Sequence, residues 1–421
     1  MPDRCIGNVR RRGTFKIRTM NSMKNQIECC FCCRDKACLV STTVNRNIIV
    51  MRQNVKMPTI LFIVFMLIEI PLFAQTNWPI FRGNQQLTGF ANTDLPAQPK
   101  LLFSFPTGDD IKSSPVVAEN TIFCGSSDGN LYAIDFSGKL KWKFNAGNVI
   151  EAPPLYLNGS VIVGSMDGWF FRLDAKTGKQ IWKYKTDNQI VGSANFIKSR
   201  SLYKLAVGSY DYNLHGVGFE KGDSLWRYES DNFINGAPAI YKGNAVFGGC
   251  DGFIHVVSME TGKAVKKVKL DTYVASSPVV EGDLLYVGDY EGRFFAVNLA
   301  EGKIQWTYDN QEKNLPFIAS PVLGGNFLVI GNEDRELYCI RKNDGSLAWK
   351  IRLSDRINAS SVICKNKVVS VTMDGMIYIH ELSTGKQIWS YEIGSPVVGS
   401  PAVYGNKLII GAVDGRIYVF G

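Results

Sequence analysis

The sequence has 421 residues, 45% hydrophobic and 20% charged, a balance that excludes a mostly disordered chain. Its formal charge of +9 lies wholly in residues 1–56, which hold 12 Lys and Arg against 3 Asp and Glu, and the residues after them carry 35 basic and 35 acidic groups. That even remainder excludes nucleic-acid or polyanion binding driven by bulk charge, while 24 Phe, 17 Tyr, 8 Trp and 40 Gly favour strands and tight turns.

Residues 1–50 contain six of the ten cysteines, among them Cys29-Cys30, Cys32-Cys33 and Cys38. They lack a paired CxxC arrangement and any His, so a zinc site is not supported, and residues 1–50 are expected to be a disposable or non-native leader. Arg52 and Lys56 precede the apolar run TILFIVFMLIEIPLF, which ends at Phe73 and is followed by Ala74. The run is interrupted by Glu69 and falls short of the ~20 residues a membrane span needs. This pattern predicts a signal peptide over 51–75, cleaved near Ala74, with an uncleaved anchor as the alternative. No Cys follows the apolar run, so the chain is not expected to be a lipoprotein. The expected location is periplasmic or secreted, with no membrane span after cleavage. The sequence leaves open the true start codon and the disulfide state of Cys124, Cys250, Cys339 and Cys364.

A lead-in segment, 76–99, comes before a repeated unit. Trp142, Trp182, Trp226, Trp306, Trp349 and Trp389 form a column with Phe103 and Lys266 in its two gaps, each about 40 residues from the next. A turn column runs through Asp128, Asp167, Asp211, Asp251, Glu291, Asp334, Asp374 and Asp414, mostly followed by Gly, the signature of a tight hairpin. Next comes an aromatic packing column of Tyr132, Phe171, His215, His255, Phe295, Tyr338, Tyr378 and Tyr418. The first strand of each unit opens with small residues and often Pro, as at Ser114-Pro115 and Ser320-Pro321, which suits an edge strand at a crowded axis. Residues 100–421 therefore read as an all-β, eight-bladed β-propeller of four-stranded antiparallel blades. Residues 100–105 resemble an outer strand, and the last unit lacks one, so the N-terminal strand is expected to complete blade eight and close the ring.

The segments LDAKTGKQIW (Asp174, Thr177, Gly178, Trp182) and AVNLAEGKIQW (Ala296, Asn298, Gly302, Trp306) resemble the tryptophan-docking repeat of pyrroloquinoline quinone (PQQ) type propellers. The lead-in NWPIFRGNQQLTG, with Trp78, Arg82 and Gly83, is similar to that of many exported members. Within this family the chain resembles the propeller subunit of the outer-membrane β-barrel assembly machinery. That likeness implies an exported, non-enzymatic scaffold that binds an envelope protein and is monomeric by itself. A catalytic member would carry PQQ and Ca²⁺ on acidic and Asn ligands, a catalytic Asp and often an adjacent-Cys disulfide. None of these can be carried over to residues 76–421, so no cofactor is expected. The turn acids read as local turn ligands, and His215, His255 and His380 as satisfied structural histidines. A PQQ-dependent dehydrogenase with calcium and a glycan-binding propeller are the alternatives.

The candidate partner surface is the set of hairpin-tip residues Met166, Trp169, Tyr210, Tyr212, Phe253 and Tyr290. The candidate channel mouth is a mixed ring, Lys112, Glu151, Val191, Asn235, Ala275, Ile318, Asn358 and Val398, with no symmetrical ligand cage.

Overall fold

The structure, a computed structural model, describes residues 77–309 and 315–421. The expected leader and signal peptide, with Ala74, lie outside the described residues. Among the described residues, no helix is long and apolar enough to cross a membrane.

Eight antiparallel sheets follow one another among the described residues. Blade one consists of Val116–Ala118, Thr121–Gly125, Asn130–Asp135 and Leu140–Asn145, from axis to rim. Blades two to seven begin at Leu155, Asn195, Ala239, Val279, Val322 and Val362. Thr121–Gly125 is buried on both faces, as a sheet packed between two neighbours requires, whereas Leu140–Asn145 alternates with solvent. Blade eight takes Ala402–Tyr404, Lys407–Gly411 and Arg416–Phe420 from the C-terminus and Leu101–Pro106 from the N-terminal side. Leu101 lies opposite Phe420 and Pro106 opposite Arg416, and Lys100 and Gly421 exchange two backbone hydrogen bonds of 2.9 and 3.0 Å. The ring closes as the repeat count predicts.

The Trp column joins each blade to the next. The indole N–H of Trp142 donates to the Ala175 carbonyl (3.0 Å), Trp182 to Phe219 (2.7 Å), Trp226 to Met259 (3.1 Å), Trp306 to Lys342 (2.9 Å) and Trp349 to Leu382 (2.9 Å). Lys266 preserves the bond without the ring, its ammonium donating to Leu299 and Ala300 carbonyls at 3.0 and 2.7 Å. The following turn must be Gly for two reasons. At Gly262 the backbone has φ +68°, and a Cβ would lie 2.6 Å from Trp226. The Gly column ahead of the turn acids has a different cause, close approach: a Cβ on Gly208 would lie 2.4 Å from Ile234, the residue crossing over from the next connection.

The lead-in segment forms a strap that touches every blade in order at the inner hairpins. Trp78 exchanges backbone hydrogen bonds with Val117 of blade one, and the Pro79 carbonyl accepts from Tyr156 of blade two. The Gln85 carbonyl accepts from the Asn195 side chain and the Ile240 amide, serving blades three and four. Gln86, Thr88 and Gly89 carbonyls accept from Val280, Leu323 and Ile363 of blades five, six and seven, and Phe90–Ala91 adds a short parallel strand to Val362–Cys364. The Thr93 hydroxyl reaches the Gly405 carbonyl of blade eight at 2.6 Å. At the strap's centre, Arg82 is 2% exposed and donates to the Leu87, Ser361 and Pro321 carbonyls. Burial pushes this guanidinium down to about 9, so it stays charged at neutral pH.

Candidate functional site

The Asp-Gly hairpins and the connections between blades lie together at the other end of the ring, as their pairing shows: Met166 donates to the Val149 carbonyl, Tyr210 to Gln189 and Tyr290 to Tyr273. All eight residues of the expected mouth ring, including Lys112, Glu151, Asn235 and Asn358, line one axial cavity of about 330 Å³. Phe81 of the strap also lines it, so the channel is a blind funnel, open at the hairpin face and closed by the strap.

The one cation of the mouth ring is paired. Lys112 binds Glu151 at 3.1 Å. The Asn358 amide Nδ2 donates to Glu333 at 3.3 Å, and the Asn235 Nδ2 to the Cys250 sulfur at 3.4 Å. The Glu333 contact fixes the Asn358 amide, since a flip would place its Oδ1 against a carboxylate. Both Oδ1 atoms are buried and have no partner.

Below the mouth lies a feature the sequence reading missed. The small residues at the inner-strand starts were expected there for crowding alone, but they form a hydroxyl girdle. Ala237 N–H donates to Ser277 Oγ (2.8 Å), Ser277 to Ser320 (3.0 Å), Ser320 to Ser360 (2.9 Å), Ser360 to Ser400 (3.0 Å) and Ser400 to Ser114 (2.8 Å). Each bond ties one blade to the next beside the axis, and the roughly 40-residue recurrence of Ser was the available signal.

The expected partner residues divide into two kinds. Tyr212 and Tyr290 are exposed, at 42% and 44%. Met166, Trp169, Tyr210 and Phe253 are half-buried. Lys183 and Lys185 lie over the Trp169 ring, 4.1 and 5.0 Å from its centroid, and Tyr210 packs on Phe233 at 4.8 Å. Tyr273, the most exposed aromatic among the described residues at 59%, and Leu315 share the open face but sit in interblade connections, outside the repeat columns that drew attention to the hairpins. Burial raises the Tyr210 and Tyr290 hydroxyls, each also opposed by charge at Cys250.

The turn acids are occupied locally. Asp128 accepts the Asn130 amide and the Tyr132 hydroxyl, and Asp334 and Asp414 bind Tyr338 and Tyr418 likewise. In blades three and four His takes the phenol's place: Tyr184 bonds His215 Nδ1 at 3.0 Å while His215 Nε2 bonds Asp211 at 2.9 Å, and Tyr228, His255 and Asp251 repeat this. Burial opposes charge on Asp211, but His215 and the Asp187 and Asn213 amides outweigh it and hold the carboxyl down at about 2. Two expectations need correction. In blade five the buried turn acid is Asp289, which binds Arg293, because Glu291 lies one step further out. His380 is not a satisfied histidine, since its buried Nδ1 has no partner and burial lowers it to about 4.

Cys124, Cys250, Cys339 and Cys364 are free thiols. Among the described residues no three His, Cys, Asp or Glu form a group that could hold a metal ion, and Lys112, the one cation of the mouth ring, is paired with Glu151.

Among solved structures, the chain is similar to BamB from Moraxella catarrhalis, with 17% identity over 76% of this chain and 99% of that one and a TM-score of 0.67. It is similar to a europium-containing methanol dehydrogenase at 14% identity, over 82% and 98% of the two chains, with a TM-score of 0.71. A computationally designed protein, Ika8, matches at 18% identity over 76% and 99%, with a TM-score of 0.67. At these identities the likeness shows the fold alone. A search of curated protein sequences finds no match. The sequence family described as outer membrane protein assembly factor BamB matches residues 93–232, 211–362 and 362–420. This chain, a closed ring of PQQ-like repeats, belongs to that family.

Proposed function

We propose that this protein is an exported, non-enzymatic scaffold of the cell envelope, acting in outer-membrane protein assembly by holding a protein partner on its open face. The observation that carries the reading is the exposed arc of Tyr212, Tyr273 and Tyr290 in a family described by an assembly factor. Large rings with exposed faces supply contact area at little conformational cost, and such residues dominate interface energies. Compact blades and a mouth-ring cation that is already paired support scaffolding over catalysis. The test is capture of envelope proteins on wild type and on the Tyr212→Ala/Tyr290→Ala double variant. The variant should recover at least about tenfold less of the partner, the effect of losing two aromatic anchors. Equal recovery contradicts the reading. A quinone absorption band and dye reduction with alcohols after adding PQQ and Ca²⁺ would favour a dehydrogenase instead.

A further inference from the structure

We propose that the blind funnel is a binding site for a neutral, hydroxyl-rich ring, the sugar unit of a free saccharide or of a glycan end. This goes beyond the scaffold reading and does not depend on it.

Three observations converge. First, Asn235 Oδ1 and Asn358 Oδ1 are buried acceptors with no protein donor, and the Nδ2 donation to Glu333 keeps the Asn358 oxygen turned away from that carboxylate. Buried acceptors of this kind are strongly selected to meet a donor. Second, the oxygens of Ser114, Ser277, Ser320, Ser360 and Ser400 each accept a backbone N–H and all five residues line the cavity. Each hydroxyl proton is therefore left to donate elsewhere. Third, Lys112 is paired with Glu151, so an anion finds no free cation in the mouth ring, and Glu333, held by the neutral Asn358 amide, keeps acceptor capacity for a hydroxyl donor.

Donors below, acceptors above and no free cation describe a ligand that both gives and accepts hydrogen bonds in many directions. A sugar ring does this. An extended peptide presents its N–H and C=O groups along two edges and suits a groove better than an axial ring of donors. The cavity of about 330 Å³ is within the range of small-ligand sites. Phe81 of the strap lines it, and Tyr210 and Tyr290 stand near its rim beside Cys250. Aromatic side chains in the lining and near the rim suit the C–H faces of a pyranose.

The experiment is saturation-transfer NMR on the purified protein with D-glucose, D-mannose and N-acetylglucosamine, each at about 10 mM to detect millimolar binding. Chitotriose and a short glycine-serine peptide are probed in parallel. Saturable transfer to sugar ring protons is expected, at least about tenfold weaker in Asn235→Ala/Asn358→Ala. Val398→Trp, which narrows the mouth without touching the amides or the girdle, should abolish it, and Trp169→Ala should leave it unchanged. Transfer confined to the terminal unit of chitotriose assigns the site to glycan ends, and equal transfer to the free sugars assigns it to monosaccharides. Three outcomes overturn the proposal: no saturable sugar transfer, as for a cavity holding water only; transfer unaffected by both mouth variants; or preference for the peptide.

Discussion

The two ends of the axial channel are built from the same repeat and finished in opposite ways. At the strap end the polar groups on the axis are matched: Arg82 donates to three carbonyls, and the strap's backbone carbonyls meet inner-strand amides from blade two to blade seven. At the hairpin end Asn235 and Asn358 carry buried oxygens with no partner, and Tyr212, Tyr273 and Tyr290 stand in solvent. Unmatched buried polar atoms and exposed rings are costs that stability alone would remove, so the hairpin end is where a binding role should be sought.

Substitutions at the two ends should therefore differ in kind. The largest effect is expected from Arg82→Ala, which leaves three buried carbonyls without a donor and should cost about 3 kcal/mol or more. Arg82→Lys should recover little of it, because a point ammonium cannot match the planar fork. Denaturant unfolding measures both. Next is the girdle: Ser320→Ala removes the acceptor for the Ser277 amide and should cost about 1–2 kcal/mol by the same measurement.

The acid response is smaller and sharpens the contrast from another side. His380 has a folded value of about 4, below its ordinary 6.5, so the unfolded chain takes up the proton first. Stability should fall as pH drops from about 6.5 towards 4, and His380→Phe should flatten that part of the Tm-against-pH curve. Asp211, held at about 2, contributes stability that is present above its unfolded value near 3.9 and lost only at more acid pH, as the carboxyl protonates. Its loss should remain in the His380 variant. At the hairpin end, Tyr212→Ala and Tyr290→Ala should each cost about 1 kcal/mol or less, since both side chains are only partly covered.

Much of this architecture can be read from recurrence. Trp142 and its successors, the Gly turns and the orphan strand Leu101–Pro106 gave the blade number and the closure, because each occupies one fixed place per blade. Lys266 could be assigned to the Trp column by spacing, although its carbonyl bond needs coordinates. What happens once is not periodic. Arg82 and the strap occur in a single segment, and nothing local reveals that the segment passes all eight blades. The mouth ring was legible as a set of positions, yet which amide oxygens lack partners depends on Cys250 and Glu333, contributed by other loops. Tyr273 and Phe233 were overlooked because they lie in the connections between blades, whose composition varies.

The central claim is that partner contact occurs at the hairpin face and not at the strap face. The direct measurement places a photo-reactive amino acid in cells at Tyr212, Tyr273 or Tyr290, and in parallel at Leu202 or Lys365, at the inner hairpins of blades three and seven. The account predicts cross-linked protein adducts from the three tyrosine positions and none from the other two. Adducts from Leu202 and Lys365 with none from the tyrosines would contradict it.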